Sequence, residues 1–393
     1  MTASGARAEE LLAGSNEWHF QREFTFSCAK LSTSTGSEEE LADNVVAIGR
    51  TLVLIQIKER NPAFVVDEKS ERKWFNNKVE GKALKQIRRS LRLLEEARAV
   101  QLTNRRGHRR TLDLADGYEV HLLVVHVPQQ DIPIDCFFKK YHISKTCGFV
   151  HFFPAQEYEQ MLLTLQTPAE VSAYLKFRQE VIRRWPEETY RIREEALLGQ
   201  FVAGDFGAYP TKRYGPLLHS LNEDESSWSI SHILADFEES LVDKEDDDYS
   251  YYKILEALAL LDRAELREFK VRWMRIVEDV KKQKAAQPYR MGSVRTGCAF
   301  VFLPVVEREI PRRTNLLQAY TLANKHQLRM PKAMGISCNR VPNGTFDFQW
   351  CWLDEPWCPD PELDALLASG ELFRNTWVAP LENYDFDEES RAP

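Results

Sequence analysis

The sequence lacks any apolar run long enough to cross a bilayer. Its longest strongly apolar stretches, Leu52 to Ile57 and Cys298 to Val306, are strand-sized and well short of the roughly 20 residues that a spanning helix requires. Cysteine is sparse. Seven residues (Cys28, Cys136, Cys147, Cys298, Cys338, Cys351 and Cys358) form no CxxC pair. The closest two, Cys351 and Cys358, lack the second pair of a zinc site, so buried thiols are expected. The nine histidines make no HExxH, and no zinc centre is expected. Gly81-Lys82 is missing the upstream glycine and following Ser/Thr of a phosphate-cradling loop, and no GxSxG elbow or GxGxxG turn occurs. Met1 to Ser15 holds Glu9 and Glu10 beside Leu11-Leu12, without the charged-then-apolar pattern of a leader, and a cytoplasmic location is expected.

What is present is a chain of 393 residues, 43% hydrophobic and 11% aromatic, rich enough in apolar side chains to bury real cores. Its length suggests two or three compact units. The net charge of −8 argues against a general polyanion binder. The distribution is uneven, however: Asn44 to Leu112 holds 17 basic against 7 acidic residues. A basic segment sits inside an acidic protein.

The expected organisation is a mixed α/β domain over residues 1–165, a helical region over 166–290 and a small α/β unit over 291–393. Glu17 to Phe26 places Trp18, Phe20, Phe24 and Phe26 in near period two, which predicts a half-buried strand. Ser32 to Ser37 reads as a loop. Val45 to Ile48 and Thr51 to Lys58 are β-branched runs joined at Gly49-Arg50, which predicts a hairpin. Beyond Pro62, the spacing of Val79, Ala83, Ile87, Leu91 and Leu94 predicts an amphipathic helix over 79–98. Strands are expected at Val100 to Thr103 and Tyr118 to Val127. Thr167-Pro168-Ala169-Glu170 has the cap, first-turn proline and closing acid of a helix start. Helical periodicity follows to about Lys284, broken at Gly204 to Pro216 and at the acidic run Asp243 to Asp248, which reads as solvated. In the last unit a strand is expected at Thr296 to Val306, a helix at Asn315 to His326 and a strand at Thr345 to Trp352, before an acidic tail after Glu382. Trp350, Trp352 and Trp357, with Phe346 and Phe348, read as core or interface aromatics.

The chemistry-bearing constellation lies on the hairpin. Strand alternation sends Gln56 and Lys58 to one face and Ile55 and Ile57 to the other. Two polar side chains closing so apolar a run are a local inconsistency of the kind that concentrates at working sites. Asp43 opens the partner strand, so a carboxylate, an amide oxygen and an ammonium are expected to converge. Asp43, the Gln56 side-chain carbonyl and the Ile57 backbone carbonyl offer oxygen ligands to a hard divalent ion. Such an ion polarises a phosphate and yields a nucleophilic water at neutral pH, while Lys58 orients that water or offsets charge on the phosphoryl oxygens.

An acid opening one strand, a hairpin, and then Gln-x-Lys on the next strand followed by a helix resembles the PD-(D/E)XK restriction-endonuclease-like superfamily, in the style of its Mrr and nuclease-related-domain branches. The likeness covers about residues 8 to 128. It implies a restriction-endonuclease-like mixed sheet flanked by helices, with Mg²⁺ or Mn²⁺ as cofactor and Asp43 and Gln56 as metal ligands. It also implies Lys58 as the catalytic lysine and Glu23 as a further catalytic acid, with Glu10 second in line. Gln86 takes the place of the family's glutamine on the following helix. Two positions depart from the pattern: Ala42 stands where the family has proline, and Gln56 where it commonly has an acid, which removes negative charge from the metal site. Around them Lys82, Lys85, Arg88, Arg89 and Arg92 line the expected helix, and Arg105, Arg106, Arg109 and Arg110 form a dense cationic loop suited to flanking phosphates. The resemblance implies an endonuclease acting on nucleic acid, DNA rather than RNA, in bacterial restriction or antiviral defence. The rear two thirds would serve a trigger, a second copy or a protein partner. Two alternatives stand beside it: a nucleic-acid-binding module that has lost cleavage, and a protein-binding scaffold.

Overall fold

The computed structural model describes residues 3–32, 38–60, 67–97, 99–128, 132–221, 251–370, 372–373 and 383–384. The loop expected at Ser32 to Ser37 lies almost entirely outside these, as do Pro62 and the acidic run Asp243 to Asp248, and so does the tail after Glu382 apart from residues 383–384. The chain forms two compact units, Met1–Asn222 with Tyr384–Pro393, and Glu223–Asn383. The expected divisions at 165 and 290 therefore do not coincide with the units. The helical stretch is shared between them.

The first unit is a mixed six-stranded sheet in the order β1-β2-β3-β6-β8-β7. Its strands are β1 (Thr25–Ser32), β2 (Glu38–Ile48), β3 (Thr51–Glu59), β6 (Glu119–Val127), β7 (Tyr141–Ser144) and β8 (Gly148–Pro154). The hairpin β2–β3 is antiparallel from Ile48↔Thr51 to Asn44↔Ile55, and Gly49 supplies the positive φ of 55° at its turn. β3, β6 and β8 run parallel, which explains their nearly unbroken apolar character. β4 (Ala99–Thr103) and β5 (Arg109–Asp113) make a separate hairpin.

On one face, α2 (Glu68–Trp74), a π-helical segment (Phe75–Ala83) and α3 (Leu84–Glu96) cover Leu52, Leu54, Val124 and Phe152 through Phe75, Val79 and Ile87. On the other, α1 (Ala3–Phe20) meets Asn44, and α5 (Ala155–Thr164) meets α1. Tyr158 donates to Asn16 Oδ1 at 2.7 Å, and Asn16 donates to Asn44 Oδ1 at 2.9 Å. The strand expected over Glu17 to Phe26 is half wrong. Ala8, Leu12, Ala13, Asn16, Glu17, His19 and Phe20 are buried along one helical face, whereas Trp18 is 56% exposed. Helical burial wins through Phe20, Gln21 ends the helix at a φ of 73°, and strand begins only at Thr25.

Four further α-helices belong to this unit: α4 (Ile134–Phe137), α6 (Pro168–Arg184), α7 (Pro186–Thr189) and α8 (Glu194–Val202). The Thr167 cap holds as expected. Glu170 N–H donates to Thr167 Oγ1 at 3.2 Å and Thr167 N–H to Glu170 Oε2 at 3.1 Å. Arg178, fully buried, ties α6 to α8 and β8. It donates to both Glu194 oxygens at 2.6 and 3.0 Å and to the carbonyls of Lys140 and Phe152 at 3.1 Å each.

The second unit packs α9 (Tyr251–Ala259), α10 (Arg263–Lys281), α11 (Arg313–Gln327) and α12 (Pro361–Ala368) with a four-stranded sheet. Its strands are β9 (Tyr289–Ser293), β10 (Cys298–Pro304), β11 (Lys332–Arg340) and β12 (Phe346–Asp354), in the order β12-β11-β10-β9. The expected helix and two strands are present, and β9 and β11 are additional. Trp273 of α10 stacks on Phe348 with ring centroids 4.4 Å apart. The whole is a mixed α/β protein, and among the described residues no helix is long and apolar enough to cross a membrane.

Candidate active site at the β2–β3 hairpin

One residue past the last paired position of the hairpin, the Asp43 carboxylate replaces the ladder: its Oδ2 accepts the Ile57 N–H at 2.6 Å. Lys58 Nζ stands 3.0 Å from Asp43 Oδ2, 3.3 Å from Gln56 Oε1 and 2.7 Å from the Ile57 carbonyl oxygen. Three oxygens from three residues therefore surround one point. Gln56 is 2% exposed and Lys58 8%, and β3 lies between β2 and β6, so these side chains do not mark an edge strand running into solvent. Alternation places Gln56 and Lys58 on the face that carries Leu52 and Leu54, beneath the π segment and α3.

The three oxygens that contact the ammonium could instead hold a small hard cation. One carboxylate, one amide carbonyl and one peptide carbonyl are the donor types that Mg²⁺ or Ca²⁺ accepts. Asp43, Gln56 and the Ile57 carbonyl would hold such an ion in place of the ammonium.

A further acid, on α1, lies within electrostatic reach of the cluster. The Glu9 carboxyl on α1 is pushed above its ordinary range by burial, and then by the negative charges of Asp43, Glu40 and Glu59, against the opposing pull of Lys58. Crowded carboxylates of this kind are relieved by a cation. Glu9 escaped the sequence reading, which favoured Glu23 and then Glu10. Glu23 is buried in the turn after α1, with Oε1 3.5 Å from Arg106 Nε. Glu10 is exposed and 3.9 Å from Arg105. Among the described contacts neither acid reaches Asp43, Gln56 or Lys58. Glu9 precedes Asn16 by seven residues, about two helical turns. The Asn16–Asn44 bond seats α1 on the hairpin, and recognising Ala8-Leu12-Asn16 as a helical stripe is the signal that would have exposed Glu9.

Gln86 lies on α3 one turn before Ser90, whose hydroxyl bonds the Leu41 carbonyl on β2. Its Oε1 is buried without a hydrogen bond, as befits an acceptor completed by a water, ion or substrate group. Arg89, its neighbour, is exposed. The cationic loop departs from expectation. Arg105 pairs with Glu17 at 3.3 Å and Arg106 with Glu23, while Arg110 donates to the Ala47 carbonyl at 2.9 Å and lies over the Phe24 ring. These three side chains fasten the β4–β5 hairpin to α1, the following turn and β2. Arg109, on β5, is exposed.

Among the described residues no group of three or more His, Cys, Asp or Glu is placed to hold a metal; the donors gathered here are instead one Asp, one Gln and a backbone carbonyl. Comparison with known proteins returns no matching family model, no similar curated protein and no similar solved structure.

Proposed function

We propose that this protein is a divalent-metal-dependent nuclease that hydrolyses phosphodiester bonds, with DNA as substrate. The observation that supports it is the meeting of Asp43 Oδ2, Gln56 Oε1 and the Ile57 carbonyl around Lys58 Nζ, within 3.3 Å. Asp43, Gln56 and the Ile57 carbonyl would hold Mg²⁺ or Mn²⁺, with Glu9 supplying charge nearby. When bound, such an ion polarises the phosphate and lowers the pKa of its water. Asp43 holds the Gln56–Ile57 peptide in a fixed orientation through the Ile57 N–H. Lys58 carries a positive charge on a long stem that can swing from the oxygens to the phosphoryl group, offsetting negative charge as it builds. Gln86 Oε1 is available to accept a proton-bearing group.

A second reading, binding without cleavage, is favoured by one feature: Gln56 gives the site an amide where an acid would add charge. Supercoiled plasmid separates the two. With Mg²⁺ or Mn²⁺ the wild type is expected to yield open circles, EDTA to stop the reaction, and Lys58→Ala to remove it while circular dichroism stays native. Retarded but intact plasmid under all conditions would favour the binding module.

A further inference from the structure

We infer that a cavity at the carboxyl ends of β6 and β8 receives an unpaired nucleobase flanking the cleaved bond, so that the preferred substrate is DNA with a single-stranded tract. This rests on the nuclease reading and names its substrate class.

The cavity, of about 610 Å³, is walled by Ile134, Phe137, Phe138 and Pro154, with Gln156 and Arg193 also lining it. Its place in the sheet links it to the candidate site. Lys58 on β3 is the register partner of His126 on β6, and His126 of Pro154 on β8. These three residues form one row across three parallel strands. At 4.7–4.9 Å between strands, Pro154 lies about 10 Å from Lys58. A strand with its reacting phosphate at Lys58 reaches that distance within about three nucleotides, at 3.4 Å per stacked step. Carboxyl ends of parallel strands are where open α/β sheets bind ligands.

The lining matches a base. Phe137 and Phe138 stand edge to face, centroids 5.4 Å apart at 88°, with the Lys140 ammonium 5.8 Å from the Phe138 ring centre, and bring aromatic surface to the recess on which a planar ring can stack. Ile134 is 69% exposed, an apolar side chain held in water at the cavity. Gln156 is exposed and offers both donor and acceptor to a base edge. Among the described lining residues Arg193 carries the one charge, positive and exposed, as a flanking phosphate needs. A paired, stacked base cannot enter such a recess without leaving the helix, which an unpaired one does at little cost.

The test uses full-length protein in EDTA, so that it reads binding and not cleavage. Oligodeoxynucleotides carrying 2-aminopurine are compared as single strand and as full duplex. The single strand is expected to bind at least tenfold tighter, with a change in 2-aminopurine emission absent from the duplex. Phe138→Ala and Ile134→Asp are each expected to weaken single-strand binding about tenfold, while moving duplex binding less than twofold. Ile134, being exposed, keeps the test valid if the phenylalanine variant fails to fold. Equal affinity for strand and duplex, or unchanged single-strand binding in Ile134→Asp, would overturn the inference. Because no metal is present, the result is independent of whether plasmid is nicked, and either idea can fail alone.

Discussion

Asp43 accepts a peptide N–H and an ammonium on one oxygen, and this double role makes its charge and its shape separable. Asp43→Asn keeps a carbonyl oxygen for Ile57 but removes the charge. Nicking is expected to fall on the order of 100-fold with the fold retained, read by plasmid assay beside circular dichroism. Glu9 makes a subtler case. Its carboxyl is pushed up by burial first and then by the charges of Asp43, Glu40 and Glu59, and Glu9→Gln removes a charge that favours a cation. The Mg²⁺ concentration for half-maximal nicking is expected to rise about tenfold; an unchanged Mg²⁺ dependence would remove Glu9 from the site. Asp43, Gln56 and Lys58 were legible in the sequence because strand alternation and a two-residue turn dictate where they fall. Glu9 was not, since its place depends on the docking of α1, which no local pattern encodes. Arg105, Arg106 and Arg110 were legible as cations but not as tethers, because their partners Glu17, Glu23 and Ala47 lie more than 60 residues away in the chain.

At the scale of elements, hairpin and helix starts were readable where one signal dominated, as at Gly49 or the Thr167–Glu170 box. The segment Glu17 to Phe26 carried two signals, period two in its aromatics and period four in its buried positions, and tertiary burial decided between them. β11 was missed because Gly335, Ser337 and Asn339 interrupt its apolar run, although the strand is buried over 333–339. Close approach of elements supplies a sharp prediction in α8. A Cβ at Gly199 would lie 1.8 Å from the Tyr214 carbonyl oxygen, so the 3₁₀ segment Lys212–Ser220 could not pack as it does. Gly199→Ala is expected to destabilise the protein by about 2 kcal/mol or more, read as a lowered urea midpoint. Ser90→Ala, which frees the Leu41 carbonyl beneath α3, is expected to cost about 1 kcal/mol.

For the whole molecule, buried neutral histidines set the acid limit. Burial pushes His126 down to about 3 and His19 to about 4. Both therefore bind protons more readily unfolded than folded, and their contribution is full above about pH 6.5 and is lost as the pH falls below it. At pH 5 each is expected to cost about 2 kcal/mol relative to pH 7.5. Chemical denaturation at the two pH values checks this, and His126→Leu should recover about 2 kcal/mol of the loss. The distribution of charge leads to a further expectation. With Arg105, Arg106 and Arg110 engaged internally, neutralising Arg105 should alter thermal stability more than the salt dependence of DNA binding, whereas Arg109→Ala should flatten that dependence by about one phosphate contact.

The cation grip itself is tested most directly by calorimetric titration of Mn²⁺ into metal-free wild type, Asp43→Asn and Lys58→Ala. Binding is expected in the wild type, at least tenfold weaker in Asp43→Asn, and as tight or tighter in Lys58→Ala, where no ammonium competes for the same three oxygens. Absence of Mn²⁺ binding by folded wild-type protein, or equal binding by Asp43→Asn, would contradict it.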